Sequence, residues 1–194
     1  DKGIVAVDSS NVLLKNLQVH GFTSDGIQAG RLKDWRIEDT SIIANSLSGW
    51  NGDVGVLKSS NSGTMLFKNV NISWNGCGET YPGKKPFNCF GQDLGGYGDG
   101  LGTHETGGDW VFDHVNISHN SSDGLDLLYH NGEGKVFVKN SRFEGNAGNQ
   151  LKTATHTRAE NSIFIGNCAY FHKNSITYGV NNCRAFGNTF AVKL

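Results

Sequence analysis

Residues 114–128 read HVNISHNSSDGLDLL, and this stretch decides the fold because both of its halves recur along the chain. The first half places an apolar residue three positions before an asparagine, and the same pattern occurs at 39–45, 69–75, 140–146 and 161–167. The second half is a D-G-L turn, which recurs as D-G-I at 25–27 and as D-G-L at 99–101. Such self-similarity is the signature of repeated strands that stack like residue on like residue. The sequence therefore predicts a repetitive all-β protein.

Three sets of aligned positions extend this prediction to the core. In each set nearly all residues are apolar, as expected for side chains that face inward from stacked strands. The sets are Val19, Ile42, Ile72, Ile117, Phe143 and Phe164; then Leu14, Ile37, Phe67, Phe112, Val138 and Ala159; and finally Ile27, Leu101, Leu125, Leu151 and Phe171. The region near Asn51 fits the template poorly, so the repeats leave its register open.

Composition agrees with short strands and tight turns, because 27 glycines stand beside only 2 prolines. A formal net charge of −1 provides no strong field for nucleic acid or a membrane surface. We expect one domain over 1–194, part of a longer protein whose N-terminal cap precedes it, since repeat arrays need covered ends. Residues 76–98 interrupt the repeat and are interpreted as an inserted loop.

The four cysteines form two local pairs, Cys77 with Cys89 and Cys168 with Cys183. Both pairs bracket irregular segments, which favours two disulfides in an exported protein. A zinc site is the alternative, although no C-x-x-C motif is present. The expected location is secreted, periplasmic or at the cell surface.

The D-G-[IL] turn, the recurring asparagine and the repeat length resemble the pectate-lyase-like superfamily. That resemblance implies a right-handed, single-stranded parallel β-helix of about seven coils, and it implies action on polysaccharides. The segment at 148–164, GNQLKTATHTRAENSIF, is similar to the lysine-bearing segment of chondroitinase-B-like and alginate lyases. Those enzymes use a lysine base, an arginine and often Ca²⁺, and the matching residue types here are Lys152 and Arg158. The implied function is a lyase that cleaves a uronic-acid polymer by β-elimination.

The outward positions that follow the D-G-L turns supply the candidate site. β-Elimination needs a base, a group that neutralises the sugar carboxylate, and a proton donor for the leaving oxygen. Candidate catalytic residues are Lys152, Asp126, His130, His156, Arg158, His104 and Tyr129. Candidate substrate-binding residues are His172, Lys173 and Tyr97. The turn acids Asp99 and Asp123 are candidate Ca²⁺ ligands, although D-G turns are mostly structural. For Asp126 and Lys152 the simpler interpretation is a surface ion pair between neighbouring strands.

Two further interpretations remain open at the level of sequence. The first is a glycoside hydrolase that uses a carboxylate pair such as Asp99 with Asp126. The second is a non-catalytic tailspike, adhesin or filament subunit. It is favoured by outward apolar residues that we expect another subunit or a missing segment to cover, namely Leu13, Leu66, Val111 and Phe137.

Overall fold

Parallel β-strands make up nearly all the regular structure of the computed structural model, which describes residues 1–54, 60–78, 89, 98–167, 171 and 190–192. A seven-stranded sheet contains, in spatial order, β1 (Ile4–Val7), β4 (Ile27–Gly30), β6 (Trp50–Asn51), β8 (Leu101–Gly102), β11 (Leu125–Leu127), β14 (Leu151–Thr153) and β17 (Phe190–Val192). A ten-stranded sheet contains β2 (Leu13–Lys15), β3 (Gln18–His20), β5 (Lys33–Ile43), β7 (Ser62–Ser73), β9 (Asp109–Asp113), β10 (Asn116–Ser118), β12 (Val136–Lys139), β13 (Arg142–Glu144), β15 (Thr157–Glu160) and β16 (Ile163–Ile165).

The predicted β-helix is wrong as a description of this fold. The strands are divided between two parallel sheets, and the ten-stranded sheet contains two long strands, β5 of 11 residues and β7 of 12. Strand β5 pairs with both β2 and β3, and β7 pairs with both β9 and β10. Aligned repeats predict which residues pair, but they do not determine how successive strands are shared among sheets.

The pairing of aligned residues is confirmed. In the seven-stranded sheet Leu101, Leu125 and Leu151 are direct partners on successive strands. In the ten-stranded sheet the paired column runs through Val19, Ile42, Ile72, Ile117, Phe143 and Phe164. Like side chains therefore stack at the strand spacing of roughly 4.8 Å, and their burial supplies much of the folding free energy.

The core lies between the two sheets. Trp50 of β6 meets Trp35 of β5 with ring centroids 5.9 Å apart, and it meets Phe67 of β7 at 5.5 Å. Phe67 in turn stacks on Phe112 of β9 at 5.1 Å. All four rings are fully buried. Edge and offset contacts of this kind add about 0.5–1.5 kcal/mol each to the gain from burial.

A buried ladder of side-chain amides follows the recurring asparagine. Asn45 Nδ2 donates to Asn75 Oδ1 at 2.9 Å, Asn75 Nδ2 donates to Asn120 Oδ1 at 2.9 Å, and Asn120 Nδ2 donates to Asn146 Oδ1 at 2.8 Å. The ladder ends where Asn146 Nδ2 donates to Gln150 Oε1 at 2.7 Å. Each amide also receives a backbone N–H from the preceding layer, so the buried polar atoms have partners.

The poorly matching region near Asn51 belongs to the seven-stranded sheet. Trp50 pairs with Ile27 on one side and with Leu101 on the other. The sequence Ser48-Gly49-Trp50 takes the place of D-G-L. Gly49, like the glycines of the D-G-[IL] turns, lies too close to the adjacent layer to carry a side chain. A glycine followed by an apolar residue is the feature of the sequence that could have identified the register of this region.

The predicted Cys77–Cys89 disulfide is present. Cys168 and Cys183 lie outside the described residues, as does most of the inserted loop at 76–98. Phe171 is fully buried, as predicted. However, the strand that pairs with β14 is β17, so the backbone neighbour of Leu151 is Phe190 and not Phe171.

Candidate functional site

The outer face of the seven-stranded sheet carries a row of polar positions. Direct parallel pairing joins Gln28, Asn51, Gly102, Asp126 and Lys152, one residue from each successive strand. This row follows the inward apolar row by one position, so alternation along each strand turns it outward. The position beside Lys152 on the far side is Ala191.

Lys152 is held between two carboxylates. Its Nζ lies 2.6 Å from Asp126 Oδ2 and 3.0 Å from Asp123 Oδ2. The side chains of Lys152 and Asp126 are 17% and 15% exposed, whereas that of Asp123 is 1% exposed. The predicted Asp126–Lys152 contact is therefore present, but Asp123 makes it a three-member cluster that is largely removed from solvent.

A lysine that acts as a general base needs a lowered pKa, and the charges around Lys152 have the opposite effect. Burial alone would lower the pKa of Lys152, but Asp123 and Asp126 outweigh burial and raise it well above its usual range. The pKa of Asp126 is also raised, first by burial and then by the nearby Asp123 charge, because two carboxyl groups share one ammonium. Lys152 thus stays protonated, and elimination with Lys152 as the base finds no support in this geometry.

A third carboxyl group reaches the row from the preceding turn. Asp99 Oδ2 lies 2.6 Å from the position that a Cβ atom on Gly102 would occupy. The absent side chain of Gly102 therefore leaves room for Asp99 beside Asp126, since residues 102 and 126 are paired neighbours. The sequence analysis gave Asp99 two possible roles, as a Ca²⁺ ligand and as the partner of Asp126 in a hydrolase pair, and it gave Gly102 no role.

The turn acids act mainly as caps between layers. Asp123 Oδ1 accepts from the backbone N–H and the side-chain amide of Asn149, at 2.6 and 2.9 Å. Asp99 Oδ1 accepts the backbone N–H of Asp123 at 2.8 Å. Within the described part of the chain no group of three or more His, Cys, Asp or Glu side chains has the arrangement of a metal site. These contacts support the structural interpretation of the D-G turns.

His130 has both ring nitrogens engaged in its own loop. Nδ1 accepts the backbone N–H of Gly132 at 3.1 Å, which assigns the proton to Nε2, and Nε2 donates to the carbonyl of Gly108 at 2.9 Å. The side chain is buried, and burial lowers its pKa. His130 is therefore a neutral clamp between two loops.

His104 and Tyr129 form a stacked pair next to the carboxylates. Their ring centroids are 5.4 Å apart and their planes differ by 13°. His104 follows β8 and Tyr129 follows β11, and both side chains are exposed, Tyr129 at 52%. Leu128, the residue before Tyr129, donates its backbone N–H to Asp126 Oδ1 at 2.9 Å, which links the aromatic pair to the cluster.

Of the remaining predicted site residues, only Arg158 and His156 fall within the described part of the chain. Arg158 lies on β15 of the ten-stranded sheet and forms an ion pair with Glu160. His156 is exposed immediately before that strand. Tyr97, His172 and Lys173 lie outside the described residues.

The predicted apolar row is in register on the outer face of the ten-stranded sheet. Leu13, Leu66, Val111 and Phe137 occupy one paired column together with Arg36 and Arg158. Leu13 is 53% exposed, and the other three apolar members are half-buried between their neighbours. A covering partner for this row stays a prediction.

No protein-family model matches the chain, and no curated protein sequence matches it. Among the described residues, no helix combines the length and apolar character that a membrane span requires.

Proposed function

We propose that this protein is a glycoside hydrolase that acts on a neutral polysaccharide at the outer face of the seven-stranded sheet. The observation that carries the proposal is a pair of carboxyl groups, Asp126 on β11 and Asp99 in the turn that leads into the adjacent strand β8, together with an exposed aromatic pair. Glycosidic hydrolysis needs two carboxyl groups with different proton affinities. Asp126, with its raised pKa, meets the requirement for the proton donor.

The chemistry follows from these roles. Asp126 gives its proton to the glycosidic oxygen as the bond from that oxygen to the anomeric carbon breaks. Asp99, as carboxylate, bonds to the anomeric carbon. A water molecule then attacks that carbon, releases Asp99, and returns its proton to Asp126. Lys152 stays an ammonium throughout and positions Asp126.

The spacing of the two carboxyl groups favours retention of anomeric configuration. Asp99 occupies the space above Gly102, one strand away from Asp126. We therefore expect the two carboxyl groups to lie about one strand spacing apart, roughly 5 Å, which is the separation in retaining enzymes and is shorter than the roughly 6.5–9.5 Å of inverting ones. Nuclear magnetic resonance of the first product released will report its anomeric configuration.

Charge supports a neutral substrate over a uronic-acid polymer. Asp123 and Asp126 share the single ammonium of Lys152, and Asp99 lies over the neighbouring Gly102, so carboxyl groups outnumber cations at the site. A polyanion approaching this face meets repulsion, whereas a neutral sugar is able to stack on Tyr129 and His104. The Cys77–Cys89 disulfide supports action in an oxidising, extracytosolic compartment.

The test is the release of reducing ends from β-linked glucan, xylan and mannan by the wild-type chain and by Asp126→Asn. Loss of the general acid is expected to lower the rate by about 10²–10⁴-fold. Asp113→Asn, which changes a carboxylate on the other sheet, serves as the matched control and is expected to keep full activity. An inactive wild type on every neutral polymer, or unsaturated products from a polyuronate, would overturn the proposal.

A further inference from the structure

A groove crosses the outer face of the ten-stranded sheet, away from the Asp99–Asp126 pair. Its volume is about 500 Å³, and it runs along the stack of strands where each strand bends. The bend is produced by residues in the left-handed region, with φ of 49° at Asp39, 56° at Asn69, 55° at His114 and 52° at Asn140. Such φ values suit Asn and Asp best among residues with a side chain.

The groove has a buried floor and two polar walls. Thr40, Val70 and Val115 form the floor and are buried. One wall consists of the bend residues Asp39, Asn69, His114 and Asn140, and the other consists of Ser41, Asn71 and Asn116. Residues on each wall follow one another at the strand spacing, so both walls present hydrogen-bonding groups about every 4.8 Å.

The wall amides are held in place by one another. Asn69 Nδ2 donates to Asp39 Oδ1 at 2.7 Å, and Asn116 Nδ2 donates to Asn71 Oδ1 at 2.8 Å. Asn116 Nδ2 also donates to Ser118 Oγ at 3.1 Å, so both of its N–H groups are used. A side-chain amide has two acceptor positions as well, so these contacts leave acceptor capacity on the walls. The walls are therefore pre-ordered before any ligand arrives, which lowers the entropic cost of binding.

We propose that this groove is a second, non-catalytic site that binds a neutral oligosaccharide. Paired donors and acceptors on each amide match the hydroxyl groups of a sugar, which also donate and accept. Charge at the groove is balanced: Asp39 lies 3.5 Å from Lys15 Nζ, and the ring of His114 contacts Asp113 at 2.7 Å. An extended peptide fits less well. Peptides bind sheets through free backbone N–H and C=O groups, and in the groove strands these groups pair with neighbouring strands, so mainly side chains remain for a ligand.

The experiment measures binding in the Asp126→Asn background, so that hydrolysis is suppressed and the two proposals fail separately. The probes are hexasaccharides of β-1,4-glucan, β-1,4-xylan and β-1,4-mannan, titrated by calorimetry and by amide chemical shifts. Asn71→Trp, which fills the groove from one wall, is expected to weaken binding of a recognised probe at least tenfold. Thr64→Trp lies on the same strand outside the groove lining and is the matched control.

The double variant Asn71→Ala/Asn116→Ala removes wall amides without adding bulk, and it is expected to weaken binding in the same direction if Asn71→Trp fails to fold. Three results would overturn the proposal: dissociation constants above about 1 mM for every probe, equal affinity in Asn71→Trp and Thr64→Trp, or shifts confined to the Asp126 face. Tighter binding of an extended asparagine-rich peptide than of any sugar would overturn it as well. Failure of the hydrolysis assay alone leaves this measurement intact.

Discussion

The outer faces of the two sheets differ in the arrangement of their charged side chains. On the ten-stranded sheet one paired column alternates in sign along its whole described length, through Lys15, Glu38, Lys68, Asp113, Lys139 and Glu160. On the seven-stranded sheet two carboxyl groups, Asp123 and Asp126, share the single ammonium of Lys152. Stacked repeats bring equivalent residues next to one another, so charges of the same sign in one row repel each other and destabilise the sheet unless the signs alternate.

The pKa shifts follow this difference. Hydrogen bonds from Arg36 and Lys15 lower the pKa of Glu38. For Asp113, burial opposes ionisation, but hydrogen bonds from Asn140, Lys139 and His114 outweigh it and lower the pKa. The pKa of Asp126 is raised instead. Alternating charges stabilise the ionised state of the column, whereas burial and the Asp123 charge oppose ionisation of Asp126. A raised pKa of this kind is what the proposed general acid requires.

The largest contrast is expected between two lysines. Lys152→Ala leaves Asp123, 1% exposed, as a buried charge without its ammonium, and should lower the free energy of unfolding by about 3–5 kcal/mol. Lys139, which pairs with Asp113 on the other sheet, is 47% exposed, so Lys139→Ala should cost at most about 1 kcal/mol. Urea denaturation measures both. Equal losses in the two variants would mean that the cluster is an ordinary surface network.

A second expected difference concerns activity more than stability. In Gly102→Ala the new Cβ would meet Asp99 Oδ2, so the carboxyl group must turn away from Asp126. If Asp99 is the nucleophile, the rate of hydrolysis should fall by about 10²-fold for a displacement of about 1 Å. The free energy of unfolding should fall by only about 1 kcal/mol, for the weakened cap on the Asp123 backbone N–H. Gln28→Ala alters the same outward row two strands from the Asp99 turn and should keep its activity. An undiminished rate in Gly102→Ala contradicts the role given to Asp99.

Sequence could predict the pairing of rows but not their grouping into sheets or the composition of the site. The stack of Leu101, Leu125 and Leu151 follows from the D-G-L repeat, because stacked strands align equivalent residues. The two-sheet arrangement depends on where each strand bends, and bends at residues such as Asn69 carry no long-range signal. Asp123, in the turn before β11, reaches Lys152 on the neighbouring strand β14. Arg158 lies on the other sheet because the chain passes from one sheet to the other between Thr153 and Thr157. Alternation along a strand predicts which face of the sheet a side chain lies on, but it does not predict which neighbouring side chains it contacts.

The third prediction is that Asp126→Asn stabilises the protein while it abolishes hydrolysis. The raised pKa means that the folded protein holds the Asp126 proton more tightly than the unfolded chain does. Ionisation of Asp126 therefore costs stability as the pH rises above the ordinary aspartate value of about 3.9, and the cost is absent below it. The variant should gain about 1 kcal/mol at neutral pH, and its gain should vanish in acid. A gain that persists below pH 4, or a loss at neutral pH, contradicts the charge imbalance inferred for this face.

The smallest effect is expected from reversing one charge in the alternating column. Lys68→Glu would place three negative side chains in succession, since Lys68 pairs with Glu38 on one side and Asp113 on the other. Like charges directly opposite each other in a sheet are destabilising, so the melting temperature should fall slightly at low salt. Because Lys68 is exposed, added salt should largely restore the wild-type value. The loss in Lys152→Ala should persist in the same salt, since its carboxylate partners are largely buried. If salt rescues both variants alike, the two faces do not differ in solvent screening, and the distinction between a balanced column and a strained cluster fails.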